Sequence, residues 1–213
     1  MSEDFLDQQS QINAKSLHYL LQELVPASIR VSEQLRNAAN GTPATEDIQT
    51  RIDSELSPVK DDQPGTINVF NARYLHSDET TIRIETYGYT LGLKLAEILL
   101  YKNSNKSKMV DILDIMKFVC RDVWKLMYDK QMDNLRTNHR GTFVLVDNDY
   151  RLINRLNSAK GESDTLEKAK LYMWFPCGVI RGILMSFGVE ANVVGEITSF
   201  PGVVFNIHTS INN

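Results

Sequence analysis

Between residues 109 and 153 the chain changes its hydrophobic period, and that change limits the folds open to it. Ile112, Ile115, Met116, Val119, Val123, Leu126 and Met127 recur at helical spacing over residues 109 to 130. Cys120 and Trp124 widen the same apolar face. A helix apolar over so much of its circumference needs cover on two sides, one from its own sheet and one from something else, which hints at a partner. Residues 134 to 138 then read as extended, Gly141 breaks the run, and Thr142, Phe143, Val144, Leu145 and Val146 are β-branched or apolar. Asp147, Asn148 and Asp149 are turn residues, and residues 150 to 153 read as extended again, so a hairpin over 142 to 153 is expected.

Helices flank this segment. Residues 12 to 38 carry Leu17, Leu20, Leu21, Leu24, Val25 and Ile29 at helical spacing, with Ser16 as a candidate cap. Pro26 lies inside that pattern and predicts either two short helices or one bent rod. A second helix over 79 to 101 shows Ile84, Tyr87, Leu91, Leu95 and Ile98 on one face. Gly88-x-x-x-Gly92 falls on the other, a spacing that permits tight helix packing. A later helix over 164 to 187 starts at Ser163 or Asp164 as cap and stops at Gly188. Residues 192 to 199 and 203 to 209 make a last pair of strands around Pro201 and Gly202. The order predicts an α+β fold in which a four-stranded antiparallel sheet is covered on one face by about four helices. The 213 residues fit one domain: an N-terminal helical part over 1 to 36, a polar insertion over 37 to 66 expected to be disordered, and the rest over 67 to 213. Within 67 to 76, Ile67, Val69, Phe70, Tyr74 and Leu75 fit no single period.

The composition excludes several functions. A net charge of -4 argues against a nucleic-acid binder, which is usually basic overall. With 42% hydrophobic residues the chain can bury a core, but no stretch is apolar for long enough to span a bilayer, and the first residues lack a secretory pattern. Cys120 and Cys177 both sit in helical patterns and read as reduced, core-packing thiols of a cytosolic protein. His18, His76, His139 and His208 are scattered without a second ligand at metal spacing, and phosphate-binding, zinc-protease and nucleophile-elbow motifs are absent. No cofactor and no catalytic residue is therefore expected.

Two features stand apart. Lys117, Arg121 and Lys125 lie at i, i+4 and i+8 among Asp111, Asp114, Asp122 and Asp129, which reads as a charge-laced outer face or as a basic surface for an acidic partner. The run Cys177-Gly178-Val179-Ile180-Arg181-Gly182 places an arginine after two small-residue breaks in an apolar helix. Arg181 there either reaches solvent or a backbone carbonyl, or meets an anion or partner.

The run from Leu113 through Trp124, followed by Lys130 to Gly141 with Asp133-Asn134-Leu135-Arg136-Thr137-Asn138-His139 inside it, resembles the subunit-6 branch of the TRAPP small-subunit family, in its fungal-type form. Val144-Leu145-Val146-Asp147-Asn148 continues the resemblance, and Cys177-Gly178-Val179-Ile180-Arg181-Gly182 is similar to that family's Cys-Gly-x-x-Arg-Gly helix. The resemblance covers residues 79 to 209 and, more loosely, 17 to 34. It gives structural roles to Trp124, Asn134, Arg136, Asn138, Cys177, Gly178, Arg181 and Gly182. The stretch from 37 to 78 is longer than the short connector of the branch, and the first helix carries no cysteine, so acylation of a related subunit does not carry over.

The resemblance implies a non-catalytic assembly subunit of a vesicle-tethering complex that acts between endoplasmic reticulum and Golgi and within the Golgi. The assembled complex is an exchange factor for a Rab GTPase. The implied partners are a related small subunit, joined through helices, and other core subunits; a homodimer is allowed in isolation. Membrane contact would be peripheral, through the complex. The expected interface residues are Leu17, Leu20, Leu21, Leu24, Ile29, Tyr87, Leu91 and Leu95. A second reading is a ligand-binding sensor domain, because the wider superfamily includes such relatives.

Overall fold

In the computed structural model, which describes residues 13–39, 77–102, 111–138 and 141–210, the first helix runs unbroken through its proline. Helix α1 spans Ala14–Ala39 and is capped by Asn13, whose side chain accepts from the Lys15 amide at 2.9 Å; the cap is Asn13 and not Ser16. Pro26 has no N–H to give the Gln22 carbonyl four residues back. The Tyr172 hydroxyl donates to that carbonyl at 3.3 Å, and the Ser28 hydroxyl donates to the Leu24 carbonyl at 2.7 Å. The Tyr172 hydroxyl thus replaces the missing bond, and one continuous helix forms where the sequence left two alternatives open. The expected insertion beyond Ala39, the ambiguous residues 67 to 76 and the connector from 103 to 110 lie outside the described residues.

Helix α2 spans Asp78–Lys102, with Asp78 and Glu79 in its first turn against the positive end of the helix dipole. Its packing face is rotated from the expected one. Ile84 and Leu95 are buried, but so are Gly88 and Gly92, whereas Tyr87 and Ile98 are exposed. Helix α3 starts at Asp111, whose carboxylate accepts from the Leu113 amide, and comprises Ile112–Phe118, a π-helical turn over Val119–Val123, and Trp124–Tyr128. It ends at Asp129, which takes a left-handed φ of 52°. The π turn adds a residue to the winding and shifts the apolar phase. Both sides of α3 then meet the chain itself: Phe118 packs edge-on to Phe187, and Trp124 packs against Tyr150 and Phe205. The domain itself covers most of the apolar surface of α3, leaving Leu126 half exposed.

Strand β1 spans Asn134–Thr137 and β2 Thr142–Asp147. The expected hairpin over 142 to 153 does not form. Residues 150 to 155 turn instead, with Tyr150, Leu152 and Ile153 all buried, and β2 pairs with β1 and β4. The helix expected over 164 to 187 is two helices, α4 over Glu162–Leu171 and α5 over Trp174–Ser186. Pro176 explains the break: it cannot donate to the Tyr172 carbonyl, so the chain tightens into i→i−3 bonds at Tyr172 and Met173 and restarts with proline in the first turn. Ser163 and Asp164 lie inside the first turn of α4, and its cap position is Gly161. Strands β3, Ala191–Ser199, and β4, Gly202–Thr209, join through a turn with a cis Phe200–Pro201 bond. All pairing is antiparallel in the order β1-β2-β4-β3, which makes the α+β sheet that the sequence predicts.

The core lies between the helices and one sheet face. Phe143, Leu145, Val193, Val203, Phe205 and Ile207 point into it. Inside it the buried Asp147 accepts from the Trp124 indole at 2.7 Å, from the Asp149 amide at 3.0 Å and from the Lys130 ammonium. His18 on α1 is half-buried, and that burial, followed by the charges of Arg155 and Arg151, holds its pKa below the ordinary value. The fold therefore favours neutral His18, and its contribution is present above about pH 6.5 and lost as pH falls through the lower folded value. Thermal melts at pH 7.5 and 5.5 should show a smaller acid-induced drop for His18→Gln than for the unaltered chain. Equal drops would remove His18 from the account.

Candidate functional site

Helix α1 carries two apolar stripes, and only one faces the core. Leu21, Val25, Ser28, Ile29 and Ser32 are buried. Leu20, Leu24, Ala27, Val31 and Leu35 follow one another at spacings of four, three, four and four residues on the outer side. Leu20 is 66% exposed and Leu35 51%, while Leu24 and Ala27 are partly covered. That spacing is the seam of a helix that packs against another helix. Glu23 and Arg30 pair at 2.6 Å along its margin.

Helix α2 extends the surface. Arg83 donates from Nε to the Ser32 hydroxyl at 3.3 Å, and Arg36 reaches the Ser77 hydroxyl at 3.2 Å, which fixes α1 beside the start of α2. Beside this junction Glu79, Ile82, Arg83, Thr86 and Tyr87 line a shallow open depression. Ile82 is 61% exposed and Tyr87 46%. The two helices together leave Leu20, Val31, Leu35, Ile82 and Tyr87 exposed.

The structure divides the interface residues expected from sequence. Leu20 and Tyr87 stand open, Leu17, Leu24 and Leu91 are partly covered by the core, and Leu21, Ile29 and Leu95 are buried inside it. Val31, Leu35 and Ile82 escaped the sequence reading. Sorting the apolar residues of α1 into two stripes would have found the first two.

The basic residues of α3 are a charge-laced face. Lys117 pairs with Asp114 at 3.0 Å, Lys125 with Asp129 at 2.7 Å, and Arg121 donates from Nε to the Lys117 carbonyl. The Cys-Gly-x-x-Arg-Gly motif is structural throughout. Arg181 pairs with Glu85 of α2 at 2.9 Å and lies 5.1 Å from the centre of the Tyr89 ring. Gly178 and Gly182 let α2 approach at backbone distance, and Cys177 packs toward Gly195 of β3. Trp124 is held by Asp147, Asn138 accepts from the Thr142 amide at 2.9 Å, and Asn134 and Arg136 are exposed on β1. Burial pushes the free Cys120 and Cys177 thiols up to about 12. Among the described residues no three His, Cys, Asp or Glu side chains converge as a metal set, and no helix is long and apolar enough to cross a membrane.

A helix-covered antiparallel sheet whose outermost helices expose a packing seam is the architecture of a protein that assembles with others. The family profile described as "Transport protein particle (TRAPP) component" matches residues 17–210, and the chain belongs to that family. Within it the relatives place the chain in the subunit-6 branch. Human trafficking protein particle complex subunit 6B is 39% identical over 125 residues, 59% of this chain and 75% of the human one. An uncharacterised protein of Schizosaccharomyces pombe is 29% identical over 201 residues, 94% of this chain and 65% of the yeast one. The crystal structure of a trafficking protein particle complex subunit 3 from Naegleria fowleri, covalently bound to palmitic acid, superposes with a TM-score of 0.52 at 13% identity. The superposition covers 85% of this chain and 97% of that one, and it shows a shared fold.

Proposed function

We propose that the chain is a non-catalytic assembly subunit of the TRAPP vesicle-tethering complex in transport between endoplasmic reticulum and Golgi and within the Golgi. It acts by pairing through α1 and α2 with a related small subunit. The complex it helps to build exchanges nucleotide on a Rab GTPase, and this chain supplies architecture to that reaction. The outward seam of α1 carries the proposal: Leu20, Leu24, Ala27, Val31 and Leu35 have helix-packing spacing, and Leu20, Val31 and Leu35 stand exposed while Leu24 and Ala27 are only partly covered. A related subunit with the same fold brings a like helix to that seam. In isolation a second copy can substitute, since an antiparallel arrangement sets its Arg30 near Glu23 and its Glu23 near Arg30.

The test is co-expression of Leu20→Asp with Ile82→Asp beside the cognate small subunit, read by sedimentation. Both side chains are exposed, so the variant should melt like the unaltered chain. Losing buried anchors at an interface costs about 2 kcal/mol or more each, about 4 kcal/mol for the pair, so affinity should fall roughly 1,000-fold. A heterodimer of undiminished affinity would show that this seam is not the interface.

A further inference from the structure

The face of the sheet turned away from the helices has a composition that the helical seam does not explain. In-register neighbours share a sheet face, so beside a polar row of Thr142, His208 and Asn192, strand pairing sets out the two rows that hold the valines: Arg136, Val144, Asn206 and Val194, then Asn134, Val146, Val204 and Glu196. None of these eight side chains is buried. Four valines occupy the surface, with Arg136 at the β1 margin and Glu196 at the β3 margin. Neither charge has a partner among the described residues, unlike Lys117 and Lys125, which acidic neighbours neutralise.

The run from Asp133 to Asn138 separates folding tasks from free ones. Asp133 accepts from the Asn148 amide at 2.7 Å, Leu135 packs against the core, and Asn138 accepts from the Thr142 amide. The side chains of Asn134 and Arg136 do nothing comparable and stand on the open face. A single cation is too little for a nucleic acid, which needs a basic surface. A centre of Val144, Val146, Val204 and Asn206 with opposite charges at the two margins matches a protein segment with mostly apolar side chains flanked by a carboxylate and a cation.

The size of the face narrows the occupant. Four strands about 4.8 Å apart and some seven residues of about 3.3 Å each give a patch of roughly 450 Å² once side chains are included. A stable free complex needs about 800 Å² per partner. The occupant must therefore be held by another contact as well, so that it binds at high effective concentration. We infer that the open face of the sheet docks a segment of a second component of the same particle, one that presents a carboxylate to Arg136 and a cation to Glu196. This rests on the proposed role as a particle component, and it gives the chain two separate contacts, one helical and one on the sheet.

Val194→Cys puts a reactive thiol on the face, while Cys120 and Cys177 stay inert because they are buried with raised pKa values. Maleimide labelling would be timed in the isolated chain, in the heterodimer with the related small subunit, and in the particle purified through another component. Labelling should be at least tenfold slower in the particle than in the heterodimer, and Arg136→Glu should abolish that protection while the heterodimer still forms. Equal rates in particle and heterodimer overturn the inference, as does protection that survives Arg136→Glu. Protection in the isolated chain that grows with its concentration would make the occupant a second copy and overturn the assignment to another component. A chain missing from the purified particle overturns the underlying role, and the inference with it.

Discussion

Gly178→Val should yield no folded protein, with the chain recovered as aggregate or as a species without a cooperative melt. Helices α2 and α5 run parallel and interlock through four glycines. A methyl group at Gly88 would lie 2.1 Å from the Phe175 carbonyl oxygen, and one at Gly92 2.3 Å from that of Val179. From the other side, Gly178 would strike the Glu85 carbonyl at 2.1 Å and Gly182 that of Tyr89 at 2.2 Å. These obstacles are backbone atoms of a helix, which cannot rotate away as a side chain does. Ordinary overpacking costs about 1–3 kcal/mol because neighbours adjust. Here the helices must separate, which breaks the contact that holds α2 to the domain and exceeds the roughly 4–5 kcal/mol that marks exceptional substitutions. Gly188→Ala is the control: its φ of 75° is strained for alanine, but nothing lies within 4 Å, so a loss of about 1 kcal/mol is expected. Circular dichroism melts of both variants would decide; a cooperative melt for Gly178→Val near that of the unaltered chain would refute the interlock.

That interlock also shows what the sequence could not reveal. Period and turn chemistry located the strands at 134 to 138, 142 to 146, 192 to 199 and 203 to 209, because alternating burial on a sheet leaves a local trace. The helix faces were less legible. On α2 the large residues Tyr87 and Ile98 suggested the inward face, yet the four glycines let α5 approach on the other side, and backbone proximity decided the packing. Apolar character on α1 and α3 meant different things: α1 has a seam left open, whereas the π turn of α3 shifts its phase so that the domain covers both sides. Pro26 behaved contrary to its local propensity because Tyr172, 146 positions further along the chain, supplies a donor to Gln22. Distant partners of this kind have no signature in a local window. The expected interface residues divide between surface and core for the same reason, since Leu20 and Leu21 look alike in sequence but lie about 100° apart around the helix, one exposed and one buried.

Asp147→Ala should destabilise the chain by about 3–5 kcal/mol, the cost of removing one partner from a buried charged network. Turn chemistry explains an aspartate at this position, but the structure gives it a second task. Asp147 is fully buried, and its two oxygens accept from the Trp124 indole, the Asp149 amide and the Lys130 ammonium. Alanine leaves the buried indole N–H without an acceptor and Lys130 without its nearest counter-charge; Asp133, 3.6 Å from the ammonium and more exposed, replaces it poorly. Asp147→Asn keeps the volume and can still accept from Trp124, but its amide group then faces the Lys130 and Asp149 donors, so it should recover only part of the loss. For a domain with roughly 5–15 kcal/mol of total stability, the alanine variant sits near the edge of folding. The chain has two tryptophans, and Trp174 is already exposed, so a shift in emission reports chiefly on Trp124. Urea titration followed by that emission should place the midpoints in the order unaltered, Asp147→Asn, Asp147→Ala. An alanine variant within about 1 kcal/mol of the unaltered chain would mean that the aromatic packing of Trp124 against Tyr128, Tyr150 and Phe205 holds this joint between α3 and the sheet without the carboxylate.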